Sequence, residues 1–288
     1  MRGEQLSLFE DKYDIIDNAV DESFWMYHAG MADGDGCFKY RNKAKKDSIK
    51  YQLRLIDKNI IQELSEIYGV KISIDKKEKK HHSQRYMVTL CGKNALHFYK
   101  KVYPYLIEKR RKVEKMSENF LKLEKFPVSQ SARLMWLAGY FDAEGSVTFF
   151  NQYDKVTKNY HVKLAVRLCS TDLKVLRYAS MLINRWFNRG GDETIVRIHR
   201  KKRYNSHLKD AYDLVVSQKT KVHLFAQSFL PYIKIKRKIN KFKKIINYAR
   251  FCAWQKWQFG SIYFDKDLKK RKKWLEVNRD WLKTNEVE

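Results

Sequence analysis

The chain has 288 residues, enough for two small domains with cores of their own, and its 60 Lys and Arg against 33 Asp and Glu give a formal charge of +27. That excess goes well beyond what solubility asks and points to a polyanionic partner, nucleic acid first. No apolar run reaches the roughly 18 residues that cross a bilayer, and residues 1–20 hold no apolar signal core, so a membrane protein and a classically secreted one are both disfavoured. Cys37, Cys91, Cys169 and Cys252 lack zinc-finger spacing and are expected as reduced, mostly buried thiols.

Residues 1–22 read as a loose polar extension. A helix follows with Ser23 as its cap, ending near Asp33 where Gly34 and Gly36 stop it. Cys37–Arg41 and Ser48–Leu55 read as paired strands; Ile49, Tyr51, Leu53 and Leu55 alternate with Lys50, Gln52 and Arg54, giving one apolar face and one basic face. A helix over Asp57–Tyr68 stops at Gly69. Strands at Val70–Asp75 and Arg85–Leu90 flank the basic stretch Lys76–His82, and helices at Lys93–Val102 and Pro104–Leu123 complete a first half, 23–123.

A connection at 124–130 leads to a second half, 131–251, in the same order. Its elements are a helix at Ser131–Asp142, strands at Ser146–Gln152 and Tyr160–Cys169, and a helix at Leu173–Phe187 broken by Gly190-Gly191. Strands at Thr194–His199 and Ala211–Ser217 then enclose the basic insert Arg200–Lys209, and helices at Lys219–Phe229 and Pro231–Phe251 follow. Val162, Leu164, Val166 and Leu168 alternate with His161, Lys163, Ala165 and Arg167, repeating the basic face. Residues 252–288, with Trp254, Trp257, Trp274 and Trp281, have no first-half counterpart and read as a helical appendage. The fold class is α+β, built from two similar repeats.

The repeat is sharpest in His28-Ala29-Gly30-Met31-Ala32-Asp33-Gly34-Asp35-Gly36 and, 109 residues later, Leu137-Ala138-Gly139-Tyr140-Phe141-Asp142-Ala143-Glu144-Gly145. Helices that face each other through Ala29, Gly30, Ala138 and Gly139 can approach closely, having little side chain to hold them apart. Such an approach brings Asp35 beside Glu144, both at helix C-termini where the dipole is already negative. A divalent cation, magnesium before zinc, is the natural offset. Asp33 and Asp142 sit inside the helix ends and suit structural hydrogen bonding.

These residues resemble the LAGLIDADG homing endonuclease family in its single-chain, two-motif form, with departures at the first and fifth positions of the first motif. The resemblance implies two αββαββα repeats related by a pseudo-twofold axis at the motif helices, whose antiparallel sheets form a saddle over double-stranded DNA. It implies Asp35 and Glu144 as metal ligands, assisted by the carbonyls of Gly34 and Ala143. Magnesium or manganese would support hydrolysis of one phosphodiester per strand, leaving staggered 5′-phosphate and 3′-hydroxyl ends, while calcium is an ion that binds without supporting cleavage.

A lysine near each site is implied at Lys109 and Lys236, with Arg110, Arg111, Lys112 and Lys238 as substitutes within a turn. Ser170 supplies a polar group at the end of the second strand, where the first half has Leu55. Base or phosphate contacts are expected from Lys39, Arg41, Lys50, Gln52, Arg54, His161, Lys163, Arg167, Arg197 and His199. The implied protein is a monomeric, intron-encoded enzyme. The competing readings are an RNA-binding maturase of the host intron and a DNA-binding regulator that keeps the fold without catalysis.

Overall fold

Nearly every side chain from Trp25 to Asp33 is buried, so the helix that carries the first motif is enclosed on all sides rather than along one stripe. Around it the computed structural model describes residues 12–43, 46–75, 83–117, 130–154, 159–187, 196–201 and 210–263. Helices α1 (12–19) and α2 (Glu22–Gly34) lead into strands β1 (Cys37–Lys43) and β2 (Lys46–Leu55), helix α3 (Lys58–Tyr68), strands β3 (Ser73–Asp75) and β4 (Arg85–Cys91), and helices α4 (Gly92–Val102) and α5 (Arg110–Ser117). The second series runs α6 (Gln130–Glu144), β5 (Gly145–Asp154), β6 (Asn159–Ser170), α7 (Leu173–Phe187), β7 (Arg197–Lys201), β8 (Ala211–Val216), α8 (Lys219–Phe229) and α9 (Lys236–Tyr263).

Each series makes one four-stranded antiparallel sheet, in the order β1-β2-β4-β3 and β5-β6-β8-β7. The alternation in β2 puts Tyr51, Leu53 and Leu55 in the core, and that in β6 buries Val162, Leu164, Val166 and Leu168. Aromatic rings fill both cores. Tyr51 stacks on Phe98 of α4 at 4.3 Å between centroids, and Phe141 of α6 stacks on Phe242 of α9 at 5.6 Å. Among the described residues no helix is long and apolar enough to cross a membrane.

Helices α2 and α6 pack backbone to backbone. A methyl placed on Gly30 would overlap the carbonyl of Trp136 and stand 2.6 Å from the nitrogen of Tyr140; one on Gly139 would overlap the carbonyl of Tyr27 and stand 3.0 Å from the nitrogen of Met31. The motif offset maps Gly30 onto Gly139, Tyr27 onto Trp136 and Met31 onto Tyr140, so the two contacts are one contact seen from either side. That reciprocity is the mark of a twofold relation, here within a single chain.

Side chains lash the halves together further out. Asn59 Nδ2 donates to the Lys234 carbonyl at 3.1 Å, Lys234 pairs with Glu63 at 2.8 Å, and Arg237 pairs with Asp57 at 3.0 Å.

Several expectations need correction. Asp21, not Ser23, caps α2: its carboxylate accepts from the Phe24 amide at 3.0 Å, and the Ser23 hydroxyl donates to it. Residues 12–19 are not loose, because Ile16 is buried, Tyr13 donates to Asn94, and Asp17 pairs with Lys101 and His97. The helices placed at Pro104 and Pro231 start later. Each proline lies in a 3-10 turn, Tyr103–Tyr105 or Leu230–Tyr232, and an extended segment follows before α5 or α9 begins. Helix α9 then runs past residue 251, to Tyr263. Cys37 and Cys169 are half-buried and Cys91 exposed, rather than buried. Residues 1–11, 76–82, 124–129, 190–191, 202–209 and 264–288 lie outside the described residues.

Gly30→Ala or Gly139→Ala is expected to lower stability by about 3 kcal/mol or more, because backbone must move to admit the methyl. Gly69→Ala, at a φ of 63° with nothing within 4 Å, should cost only about 1 kcal/mol. Urea unfolding of the three variants checks this order.

Candidate functional site

The parallel ends of α2 and α6 gather the chemistry. A methyl on Gly34 would run into the Ala143 side chain and lie 3.2 Å from Glu144 Cγ, so Glu144 rests against the last turn of α2, next to Asp35. Burial raises the carboxyl of Asp35 above the ordinary aspartate value. Burial likewise raises that of Glu144, and the charges of Asp35 and Glu108 add to the effect. Two carboxylates in this state lack positive charge.

Two lysines supply part of it, one from each half. Lys109 Nζ donates to the carbonyls of Ala32, Gly34 and Gly36 at 2.8, 2.6 and 2.7 Å, which uses all three of its protons on the end of α2. Lys238 Nζ donates to the carbonyls of Phe141 and Asp142 at 2.5 and 2.7 Å, at the matching end of α6. Each lysine grips its own motif helix, and the charges of both reach both acids. Among the cations around Asp35, Lys238 has the largest effect; around Glu144, Lys109 does.

Lys236, the residue expected from sequence, is exposed on the first turn of α9 and touches neither motif helix; its substitute Lys238 occupies the position. The cause is the onset of the helix. Lys109 stands just before α5, whereas α9 starts at residue 236, so the inward-facing lysine comes one helical step later. Arg110 donates to the Pro104 carbonyl, and Arg111 and Lys112 are exposed.

Asp33 and Asp142 build the lysine-bearing segments. Asp33 accepts from the backbone amides of Ile107 at 2.7 Å and Lys109 at 2.8 Å and from the Trp136 indole at 2.8 Å. Asp142 mirrors it, accepting from the Tyr27 hydroxyl at 2.6 Å and the amides of Lys234 and Ile235 at 2.8 and 3.2 Å. Each carboxylate therefore ties its own motif helix, the partner helix and the loop that follows the 3-10 turn. All three donors of Asp142 share Oδ2, which leaves Oδ1 without a hydrogen-bond partner among the described residues. Burial pushes Asp33 up to about 6 and raises Asp142.

Whether the site suits a divalent cation can be judged from its donors. Carboxylate oxygens are hard donors of the kind magnesium or manganese takes. Among the described residues no three His, Cys, Asp or Glu side chains come together, so coordination would need oxygens from a phosphate-bearing ligand as well. The Gly34 carbonyl, expected as a ligand, already accepts from Lys109.

Beyond the helix ends, each sheet turns its polar face away from the core. Lys39, Lys50, Gln52 and Arg54 lie on this face of the first sheet, and Lys163, Arg167, Arg197 and His199 on that of the second. Arg41 and His161 occupy the same faces by register, with side chains outside those described. Lys39 is directly opposite Lys50, a like-charge pair that costs stability unless an anion lies across it. Sequence reasoning missed Thr89 and Met87 of β4, to which the Gln52 amide donates at 3.1 and 3.6 Å, while Lys39 donates to the Gln52 carbonyl at 3.2 Å. The signal was the period-two pattern of β4, in which Met87 and Thr89 alternate with Val88 and Leu90.

No family model and no curated protein sequence matches the chain. Solved structures do. The I-LtrWI LAGLIDADG homing endonuclease bound to target DNA is 14% identical, with a TM-score of 0.54 over 90% of this chain and 97% of that one. The chain has the LAGLIDADG homing endonuclease fold. I-SmaMI bound to uncleaved DNA target in the presence of calcium ions gives 14% and 0.51 over 88% and 98%, and the LAGLIDADG meganuclease I-AabMI bound to uncleaved DNA gives 15% and 0.51 over 82% and 92%.

In this LAGLIDADG fold the first motif's departures have local reasons. His28 replaces an apolar first residue, is fully buried, and points Nε2 at Glu63 of α3 from 3.4 Å. Ala32, at the fifth position, is fully buried where the chain of Gly36 closes on it.

Burial lowers Lys238 from 10.5 to about 8. Between those two values the folded protein has released a proton that the unfolded chain still holds, so stability rises with pH across the window. Relative to Lys238→Met, the wild type should gain stability from pH 8 toward 10.5 and show a constant difference below 8. Denaturant unfolding of both proteins across that range is the check.

Proposed function

We propose that the protein is a site-specific DNA endonuclease that acts as a monomer and makes a staggered double-strand break by divalent-metal-dependent hydrolysis. The observation that carries this reading is the convergence of Asp35 and Glu144 at one end of a reciprocal helix pair, where a lysine from each half is bound to the helix ends. One acid per half suits one cut per strand. The unequal halves suit a long target without symmetry.

Asp35 and Glu144 would hold the divalent ion, magnesium or manganese, with the Ala143 carbonyl as a further expected ligand. Such an ion would supply Lewis-acid stabilisation of the charge that develops in hydrolysis. Lys109 and Lys238 place fixed positive charge beside the scissile phosphates. With its three protons committed to carbonyls, Lys109 acts through its field, and it can bond a phosphate only by releasing one of them. The basic sheet faces bind the duplex. Lys39 and Lys50 are relieved of their mutual repulsion by phosphate, and Gln52 exchanges its bonds to Lys39 and Thr89 for bonds to a base edge.

Selection from a randomised duplex library in magnesium should recover a cleaved site. On that site Asp35→Asn and Glu144→Gln should each lower double-strand cleavage at least about 100-fold while retaining DNA binding. Binding of the recovered site by the wild type, with no cleavage in magnesium or manganese, would identify a regulator instead.

A further inference from the structure

The extended segment between the first 3-10 turn and α5 carries a carboxylate that has no counterpart in the other half. Glu108 lies between the two amides, Ile107 and Lys109, that Asp33 pins in place, so its backbone is held on both sides. Pro104 and Pro231 align the two loops, and the residue matching Glu108 is then Ile235, which is fully buried in the core. Glu108 turns the other way, toward the second half. The Tyr140 hydroxyl donates to its Oε2 at 3.1 Å, and Ser170, at the end of β6, is its second side-chain partner. Tyr140 in turn stacks on Trp136, 5.1 Å between centroids, and the Trp136 indole donates to Asp33. Among the described residues no matching carboxylate, tyrosine and serine set recurs around Asp142.

Its location ties it to one acid. Tyr140 and Glu144 are four residues apart on α6 and share a helix face. Lys109, the neighbour of Glu108, bonds the Gly34 carbonyl, and Glu144 packs on that same glycine. Glu108 accordingly ranks among the groups that raise Glu144 and is absent from those that act most on Asp35. A carboxylate has about four acceptor positions. Tyr140 and Ser170 account for two of them, and the half-buried Glu108 side chain has acceptor capacity left for water.

We propose that Glu108 is a positioning residue for the Glu144 half-site alone, orienting the attacking water there, so that the two DNA strands are cut by chemically unequal sites. This rests on the endonuclease reading. Glu108 touches neither the motif acid nor the phosphate. It accepts hydrogen bonds from water and holds Ser170 and Tyr140 in the arrangement that presents that water.

The test is strand-resolved cleavage of the selected target by wild type and Glu108→Gln, with the Glu144-dependent strand defined as the one that Glu144→Gln slows most. Gln keeps an acceptor for Tyr140 and removes the charge. The expected result is an about 10- to 100-fold slower cut in that strand alone, with accumulation of duplex nicked in the other strand. Calorimetric titration of calcium into the protein–target complex should show weaker binding in the variant with DNA affinity unchanged, a readout that does not depend on turnover. Equal slowing of both strands, or wild-type rates on both, overturns the proposal. If Glu108→Gln fails to fold, Ser170→Ala and Tyr140→Phe take its place and must slow the same strand. A wild type that cuts neither strand refutes the endonuclease reading itself, whereas a wild type that cuts both while the variants keep its strand ratio refutes only the role of Glu108.

Discussion

Everything else in this molecule depends on two helices touching without side chains between them. Gly30 meets the backbone at Trp136 and Tyr140, and Gly139 meets it at Tyr27 and Met31. No other residue fits at either position, and the contact works only if the helices cross at that one depth. The crossing sets the height of both helix ends, and thereby which groups meet there. Had the contact been made by leucines, the axes would lie some ångströms further apart, and Asp35 and Glu144 would face solvent separately.

The close approach also creates an electrostatic problem, which the chain answers with its own cations. Two carboxylates are brought to the negative ends of two helix dipoles, exposed at their tips yet desolvated enough that their charge is disfavoured. Lys109 and Lys238 donate to the last carbonyls of those same ends and offset the dipoles. Asp33 and Asp142 keep the lysines there by pinning the loops that deliver them. The compensation is incomplete, since both acids remain raised. Under the endonuclease reading, residual negative charge of this kind would draw in a divalent cation, and the basic sheet faces would bring the phosphates that complete its ligands.

Much of this was legible in the chain itself, and the reasons are local. Alternation in β2 and β6 marks the buried and polar faces because a strand buries one side, and the duplicated small-residue motif announces a helix pair because only small residues permit one. Gly69 ends α3 where the sequence places the end, at a left-handed residue. What could not be read depended on angle and long-range partnership. The offset between Lys236 and Lys238 comes from the residue at which a helix begins after a proline turn, and residue spacing does not encode that. The docking of residues 12–19 needs Asp17 to find His97 and Lys101, eighty or more positions away. Glu108 was invisible for a similar reason: as one charge among many beside a lysine, it acquires meaning only from Tyr140 and Ser170 of the other half.

The central claim is that the glycine contact serves to bring Asp35 and Glu144 to a shared cation. Anomalous diffraction from crystals of the protein with its selected DNA and manganese tests this most directly. The account predicts manganese peaks at the paired ends of α2 and α6, within bonding distance of the Asp35 and Glu144 carboxylates and of DNA phosphate oxygens. Peaks held by other residues, or the two carboxylates turned apart with no metal at either, would contradict it.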